Sequence, residues 1–213
     1  MMQKFIQIIL TYGYSAMAGV VFAETGLLVG FFLPGDSLLF MAGLACVPGN
    51  AFGKQFLNGG NLNWIELNLW LVPAAIIGDT VGYWIGNKLG APLYAREKTW
   101  LFRKDHLLAT KEFYDTHGGK TIVLARFAPF LRTFAPVVAG IAQMPYTHFL
   151  IYNVVGGVAW ITGMSYLGMI LGENETVKKN LDLTLALIIF VSLLPAIIGF
   201  LRGRKKKQGL AAQ

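Results

Sequence analysis

The chain has 213 residues, 55% of them hydrophobic and 14% charged, with a mean hydropathy of +0.55 and a formal charge of +7. That balance indicates one compact integral membrane unit. The positive excess does not read as a nucleic-acid surface: seven of the 18 Lys and Arg lie between Lys88 and Lys120, five more form the tail Arg202, Arg204, Lys205, Lys206 and Lys207, and no stripe of base-stacking aromatics accompanies them.

In chain order, the first predicted element is an apolar helix from Phe5 to Ala23, long enough to cross about 30 Å of hydrocarbon. Lys4, the apolar run and Ala16-Met17-Ala18 imitate a cleavable signal peptide, but Thr11, Tyr12, Gly13 and Tyr14 interrupt the run and no polar mature sequence follows it. An uncleaved first crossing is therefore expected. Thr25 to Val47 is apolar but broken, because Phe31-Phe32-Leu33-Pro34-Gly35-Asp36-Ser37 reads as a helix stop, a turn and the cap of a new helix. Cys46 lies in this segment; as the only cysteine it makes no intramolecular disulfide and suits apolar packing.

A second crossing is predicted from Ile65 to Ile85, interrupted by Glu66, Asn68 and Asp79. Gly78, Gly82, Gly86 and Gly90 give this helix a smooth face against which another backbone can pack. After the basic stretch, Thr121 to Ala142 is a second broken apolar segment, with Pro129 and Pro136 beside Arg126 and Arg132. Crossings from Thr147 to Leu171 and from Leu183 to Leu201 complete the series, the last ending at the basic tail. Trp64, Trp84, Trp100 and Tyr94 suit an aromatic belt near helix ends.

Orientation constrains how the broken segments thread. The stretch from Lys88 to Lys120 and the tail should both be cytoplasmic, so an even number of crossings separates them. The last two helices supply that number, which makes Thr121 to Ala142 a segment that dips in and returns. Ala51 to Trp64 carries one Lys and no Arg and suits the outside, so Thr25 to Val47 dips from the opposite face after a first crossing from a cytoplasmic amino terminus. Broken backbone at membrane depth must be buried in protein or line a wet cavity, so the two dips should meet. The expected fold is all-α: about four transmembrane helices plus two opposed re-entrant helical hairpins in an inverted repeat. Ala42-Gly43-Leu44-Ala45 and Ala139-Gly140-Ile141-Ala142 form a weak echo of that repeat.

The expected site lies at the breaks, where paired interrupted segments of inverted-repeat transporters hold their substrate. Charge at the bilayer centre costs about 2.5 to 3.5 kcal/mol on insertion scales, so Glu24, Asp36, Asp79, Arg126 and Arg132 should face each other, water or a substrate. Asp36 suits a helix cap, but Glu24 at the hairpin's mouth has no capping role, and the two carboxylates together have the chemistry for proton exchange. Arg126 and Arg132 would point about 120° apart on one continuous helix, whereas a proline-broken hairpin can turn both toward one point. Their forked donors fit a carboxylate or a phosphate, so they either neutralise the acidic pair or receive an anion. Asp79 joins a proton path or touches interfacial water. His106, His117 and His148 offer no metal spacing, no nucleophile motif is present, and no cofactor is expected.

Glu24-Thr25-Gly26, Phe32-Leu33-Pro34-Gly35-Asp36-Ser37-Leu38-Leu39-Phe40, Gly78-Asp79-Thr80-Val81-Gly82-Tyr83, His117-Gly118-Gly119-Lys120, Ala125-Arg126-Phe127, Arg132-Thr133 and Tyr152-Asn153 together resemble the DedA family of bacterial inner-membrane proteins. The likeness extends over roughly 20–172. It implies a VTT domain with opposed re-entrant hairpins, spanning 24–172 between a first helix at 1–23 and a last helix at 173–201, followed by a cytoplasmic tail at 202–213. It also implies translocation of an anionic lipid such as polyprenyl phosphate or phospholipid, linked to proton motive force and envelope maintenance. By resemblance the essential acidic pair falls on Glu24 and Asp36 and the essential basic pair on Arg126 and Arg132. A proton-driven small-ion exchanger and a non-transporting structural membrane factor are the alternatives.

Overall fold

The computed structural model describes residues 2–27, 35–49, 62–95 and 120–174, so Pro34, most of the basic stretch, the expected helix from Leu183 to Leu201 and the tail lie outside the described residues. The elements within them are all helices: α1 (Met2–Gly26), α2 (Gly35–Ala45), α3 (Trp64–Ala95), α4 (Lys120–Ala125), α5 (Pro129–Ile141) and α6 (Tyr146–Gly172). Among the described residues two stretches are long and apolar enough to cross a membrane, Trp64–Gly90 and Tyr146–Gly172, each 27 residues. At 1.5 Å per residue each is about 40 Å long. Large apolar side chains face outward from both, among them Ile65, Leu69, Ile77, Ile151, Val155 and Ile170, as contact with lipid requires.

Side-chain contacts fix the directions of the helices. The Trp64 indole N–H donates to Ser165 Oγ at 3.0 Å, and Thr162 Oγ1 donates to Asn68 Oδ1 at 2.9 Å. At the other end Tyr83 stacks on Phe149 with ring centroids 4.6 Å apart. The long helices α3 and α6 therefore run antiparallel. The part of α1 from Tyr14 to Gly26 runs the same way as α3, because the Asn63 N–H donates to Tyr14 Oη at 2.7 Å while Thr25 Oγ1 donates to the Ala75 carbonyl at 3.4 Å.

Within the first crossing expected from Phe5 to Ala23, α1 is kinked. Gly13 sits at φ 52° and ψ −126°, a conformation that side chains disfavour, and it kinks α1 there. Beyond the kink, Tyr14 lies at the Trp64 end of α3 and Gly26 beside its middle, where a Cβ on Gly26 would come within 2.7 Å of the Gly78 carbonyl oxygen. Helix α2 ends back where that run began, since the Leu62 N–H donates to the Ala45 carbonyl at 3.2 Å. Between these ends, the Gly35 N–H donates to Glu24 Oε1 at 3.3 Å.

Helices α4 and α5 repeat the pattern at the opposite end. Tyr83 Oη donates to the Met144 carbonyl, and Ile122, Ala139 and Phe149 share a buried cluster with Tyr83. Pro129 starts α5, where its missing N–H costs nothing and its fixed φ suits a first turn. Pro136 differs from the expectation of a break, because α5 continues through it.

The two halves pack by one rule. Gly140 of α5 backs onto the Tyr83 carbonyl and the Asn87 nitrogen of α3; Gly43 of α2 backs onto the Ser165 carbonyl and the Met169 nitrogen of α6. Likewise Gly86 and Gly90 meet Val137 and Ile141, as Gly168 and Gly172 meet Phe40 and Leu44. One shift of 97 residues, from Gly43 to Gly140, relates α2 to α5, and one of 82, from Tyr83 to Ser165, relates α3 to α6. The tetrapeptide echo thus marks a close backbone approach in each half, and the glycine face of α3 is a packing surface. Valine at Gly43 or at Gly140 is expected to cost about 1 to 3 kcal/mol by overpacking, to a similar extent at both, read as thermal unfolding in detergent. A loss at one position alone would break the correspondence.

Candidate functional site

All five charges singled out in the sequence meet between the midpoints of α3 and α6. Glu24 comes from the last turn of α1, Asp36 from the first turn of α2, Asp79 from the middle of α3, Arg126 from the turn after α4, and Arg132 from the first turns of α5. Glu24 and Asp79 are each 1% exposed, Arg126 3% and Arg132 5%. Asp36 is the most accessible of the five, its side chain 13% exposed. Such burial is tolerable only because each charge has a partner.

The pairing is asymmetric. Arg132 spreads its fork over both acids of the first half, Nη2 donating to Glu24 Oε1 and Nη1 donating to Asp36 Oδ1. The Trp160 indole N–H also donates to Asp36 Oδ1, at 2.9 Å, and the Arg132 guanidinium lies over the Trp160 ring, 4.7 Å from its centroid. Trp160 therefore touches both members of one ion pair. That cation–π contact is worth roughly 0.5 to 2 kcal/mol, more as water is excluded.

Arg126 has other partners. Its Nη2 donates to Asp79 Oδ2 and to Asn153 Oδ1, and Asn153 is itself held by its Nδ2 donating to the Ile76 carbonyl at 3.1 Å. Asp79, expected to stand apart from the other four in a proton path or at an interface, is thus the counter-ion of Arg126 at the centre of α3. Helix α3 extends to Ala95, beyond the predicted end at Ile85, so Asp79 lies at its middle.

Two participants, Asn153 and Trp160, carry no charge and were not among the expected site residues. Asn153 belongs to the Tyr152-Asn153 motif, and an amide within an apolar membrane-length span is the signal that could have promoted it. Trp160 likewise lies at mid-span, away from the interfacial level that tryptophans favour. Pro136 also contributes from a distance, since it has no N–H to return to the carbonyl of Arg132 four residues earlier.

Several polar atoms in the cluster make no hydrogen bond among the described residues: Glu24 Oε2, Asp79 Oδ1, Ser37 Oγ, and the Nε of both arginines. The set is therefore charged, buried and incompletely satisfied. Among the described residues no three His, Cys, Asp or Glu side chains group to hold a metal ion.

The VTT domain matches residues 33–170, which contain four of the five charged residues. The chain is 42% identical to Protein DedA of Escherichia coli K12 over 202 residues, covering 93% of this chain and 88% of that protein. It is 36% identical to an uncharacterized membrane protein of Mycobacterium leprae, covering 90% and 81%, and 32% identical to the inner membrane protein YghB of Escherichia coli K12, covering 86% and 80%. No solved structure matches. With its helices, its membrane-length spans and this match along most of its length, the chain belongs to the VTT-domain, or DedA, family of membrane proteins.

Proposed function

We propose that the protein translocates an anionic lipid phosphate, such as polyprenyl phosphate or a phospholipid, across the bacterial inner membrane. In this reading α3 and α6 cross the bilayer, with the basic stretch after α3 on the cytoplasmic side. Tyr14–Gly26 with α2, and α4 with α5, are re-entrant hairpins from opposite faces whose tips meet at mid-membrane. At the turn between α4 and α5, Arg126 and Ala128 are buried in protein, as irregular backbone at membrane depth requires.

The observation that carries the reading is Arg132: a guanidinium buried between two membrane-length helices, gripped by two carboxylates from the other half of the repeat. Two oxygens of a tetrahedral phosphate can accept from the two guanidinium nitrogens that Glu24 and Asp36 occupy, so a head group can exchange with them at the same donors. The prenyl or acyl tail stays in lipid. Three carboxylates stand against two guanidiniums, so a fully ionised cluster already carries excess negative charge and disfavours an incoming anion. Proton uptake on Glu24 or Asp36 relieves that repulsion and frees the Arg132 fork, which couples head-group loading to protons.

Proteoliposomes with labelled polyprenyl phosphate or phosphatidylglycerol test this. Transfer is expected in the wild type, and a protonophore is expected to lower net transfer under an imposed pH gradient. Arg132→Lys keeps the charge but loses the fork and is expected to cut the rate on the order of tenfold or more. Full activity of that variant would rule out two-point recognition of the head group.

A further inference from the structure

Arg126 and Arg132 are not equivalent. Arg132 is held by residues of α1 and α2, the opposite half of the repeat, at Glu24 and Asp36. Arg126 is held by the two long helices: Asp79 of α3, and Asn153 of α6, whose amide is anchored back on α3 at the Ile76 carbonyl. Helix α6 is also cut away beneath it. A Cβ on Gly156 would stand 2.8 Å from Arg126 Cδ and 3.2 Å from Nε, and one on Gly157 would stand 3.6 Å from Cζ. Any larger residue at Gly156 would displace the Arg126 side chain before it met another group, the next nearest atom being Val123 Cα at 3.4 Å.

We propose that Asp79, Asn153 and the Gly156–Gly157 notch form a fixed seat that positions Arg126 as the stationary arm of the head-group site, leaving Arg132 as the arm that changes partner. The division follows from what each arginine is tied to. Asn153 and Asp79 belong to the two long helices, so moving the α1–α2 tip does not release the groups that hold Arg126. Displacing Glu24 and Asp36 does release Arg132. On this view Asp79 acts as the counter-ion of the seat, Asn153 sets the plane of the guanidinium, and the glycines provide its depth. The inference rests on the lipid-phosphate reading.

The test is a double-mutant cycle on binding of dodecyl phosphate to the purified protein in detergent, measured by calorimetry. Gly156→Ala and Asn153→Ala change no charge. Each is expected to weaken binding about tenfold in the wild type and again about tenfold in an Arg132→Lys background, but less than about twofold in an Arg126→Lys background. Asn153→Gln keeps an uncharged amide that can accept from Arg126 and should recover part of the affinity lost in Asn153→Ala. A merely structural role for these residues would weaken binding equally in both lysine backgrounds, and that result, or no loss in the wild type, would overturn the seat. If the wild type binds no dodecyl phosphate, the lipid-phosphate reading fails and the seat with it.

Discussion

Arg132→Ala is expected to lower stability by about 3 to 5 kcal/mol and to abolish lipid transfer, because it leaves Glu24 and Asp36 buried together without their shared cation. The stability loss alone would not separate transport from scaffolding, since any buried ion pair is destabilising to break from one side. A triple replacement does separate them. Glu24→Gln, Asp36→Asn and Arg132→Met removes all three charges at nearly constant volume, and replacing a buried ion cluster by neutral groups is often neutral or stabilising. The triple variant is therefore expected to recover most of the melting temperature and none of the transfer. Recovery of both would make the cluster structural cement. Thermal unfolding in detergent and transfer in proteoliposomes read the two quantities independently.

Asp79→Ala is expected to have the second largest effect, again about 3 to 5 kcal/mol, by stranding Arg126 in a site only 3% exposed. Asn153 would still accept from that guanidinium, but a neutral amide supplies no countercharge. Combining Asp79→Leu with Arg126→Met should restore stability toward that of the wild type, and the double variant should bind head group more weakly for want of one fork. If Asp79→Ala unfolds at the wild-type temperature, the pairing between α3 and the turn after α4 is not a feature of the folded protein in its membrane.

Much of this was legible in the sequence because the bilayer makes charge conspicuous. Glu24, Asp36, Asp79, Arg126 and Arg132 stand out against apolar surroundings, and the meeting of Glu24, Asp36, Arg126 and Arg132 follows from the energetic need for partners. Pro34-Gly35-Asp36 and Pro129 marked where helices begin again, and α2 does start at Gly35 and α5 at Pro129. The four-residue echo around Gly43 and Gly140 pointed to the repeat whose close approaches the structure contains.

Other features were hidden for physical reasons. Phe5 to Ala23 satisfies the length rule for a crossing, but hydropathy carries no backbone angle, so the kink at Gly13 and the direction of Tyr14–Gly26 were invisible. Which acid pairs with which arginine depends on helix rotation, and spacing along the chain does not set that across helices. Asn153 and Trp160 are uncharged, so a search for charge passed over them. Pro136 carried the same signature as Pro129, but a proline past the first turn of a helix packed along α3 is accommodated without breaking it.

The most direct measurement is transfer of labelled polyprenyl phosphate and, separately, phosphatidylglycerol in proteoliposomes, comparing the wild type with the folded Glu24→Gln, Asp36→Asn, Arg132→Met variant. The account predicts transfer of at least one of the two by the wild type, dependent on the imposed pH gradient, and only background rates with the triple variant. Transfer of neither lipid by the wild type, or equal rates with and without the three charges, would contradict it.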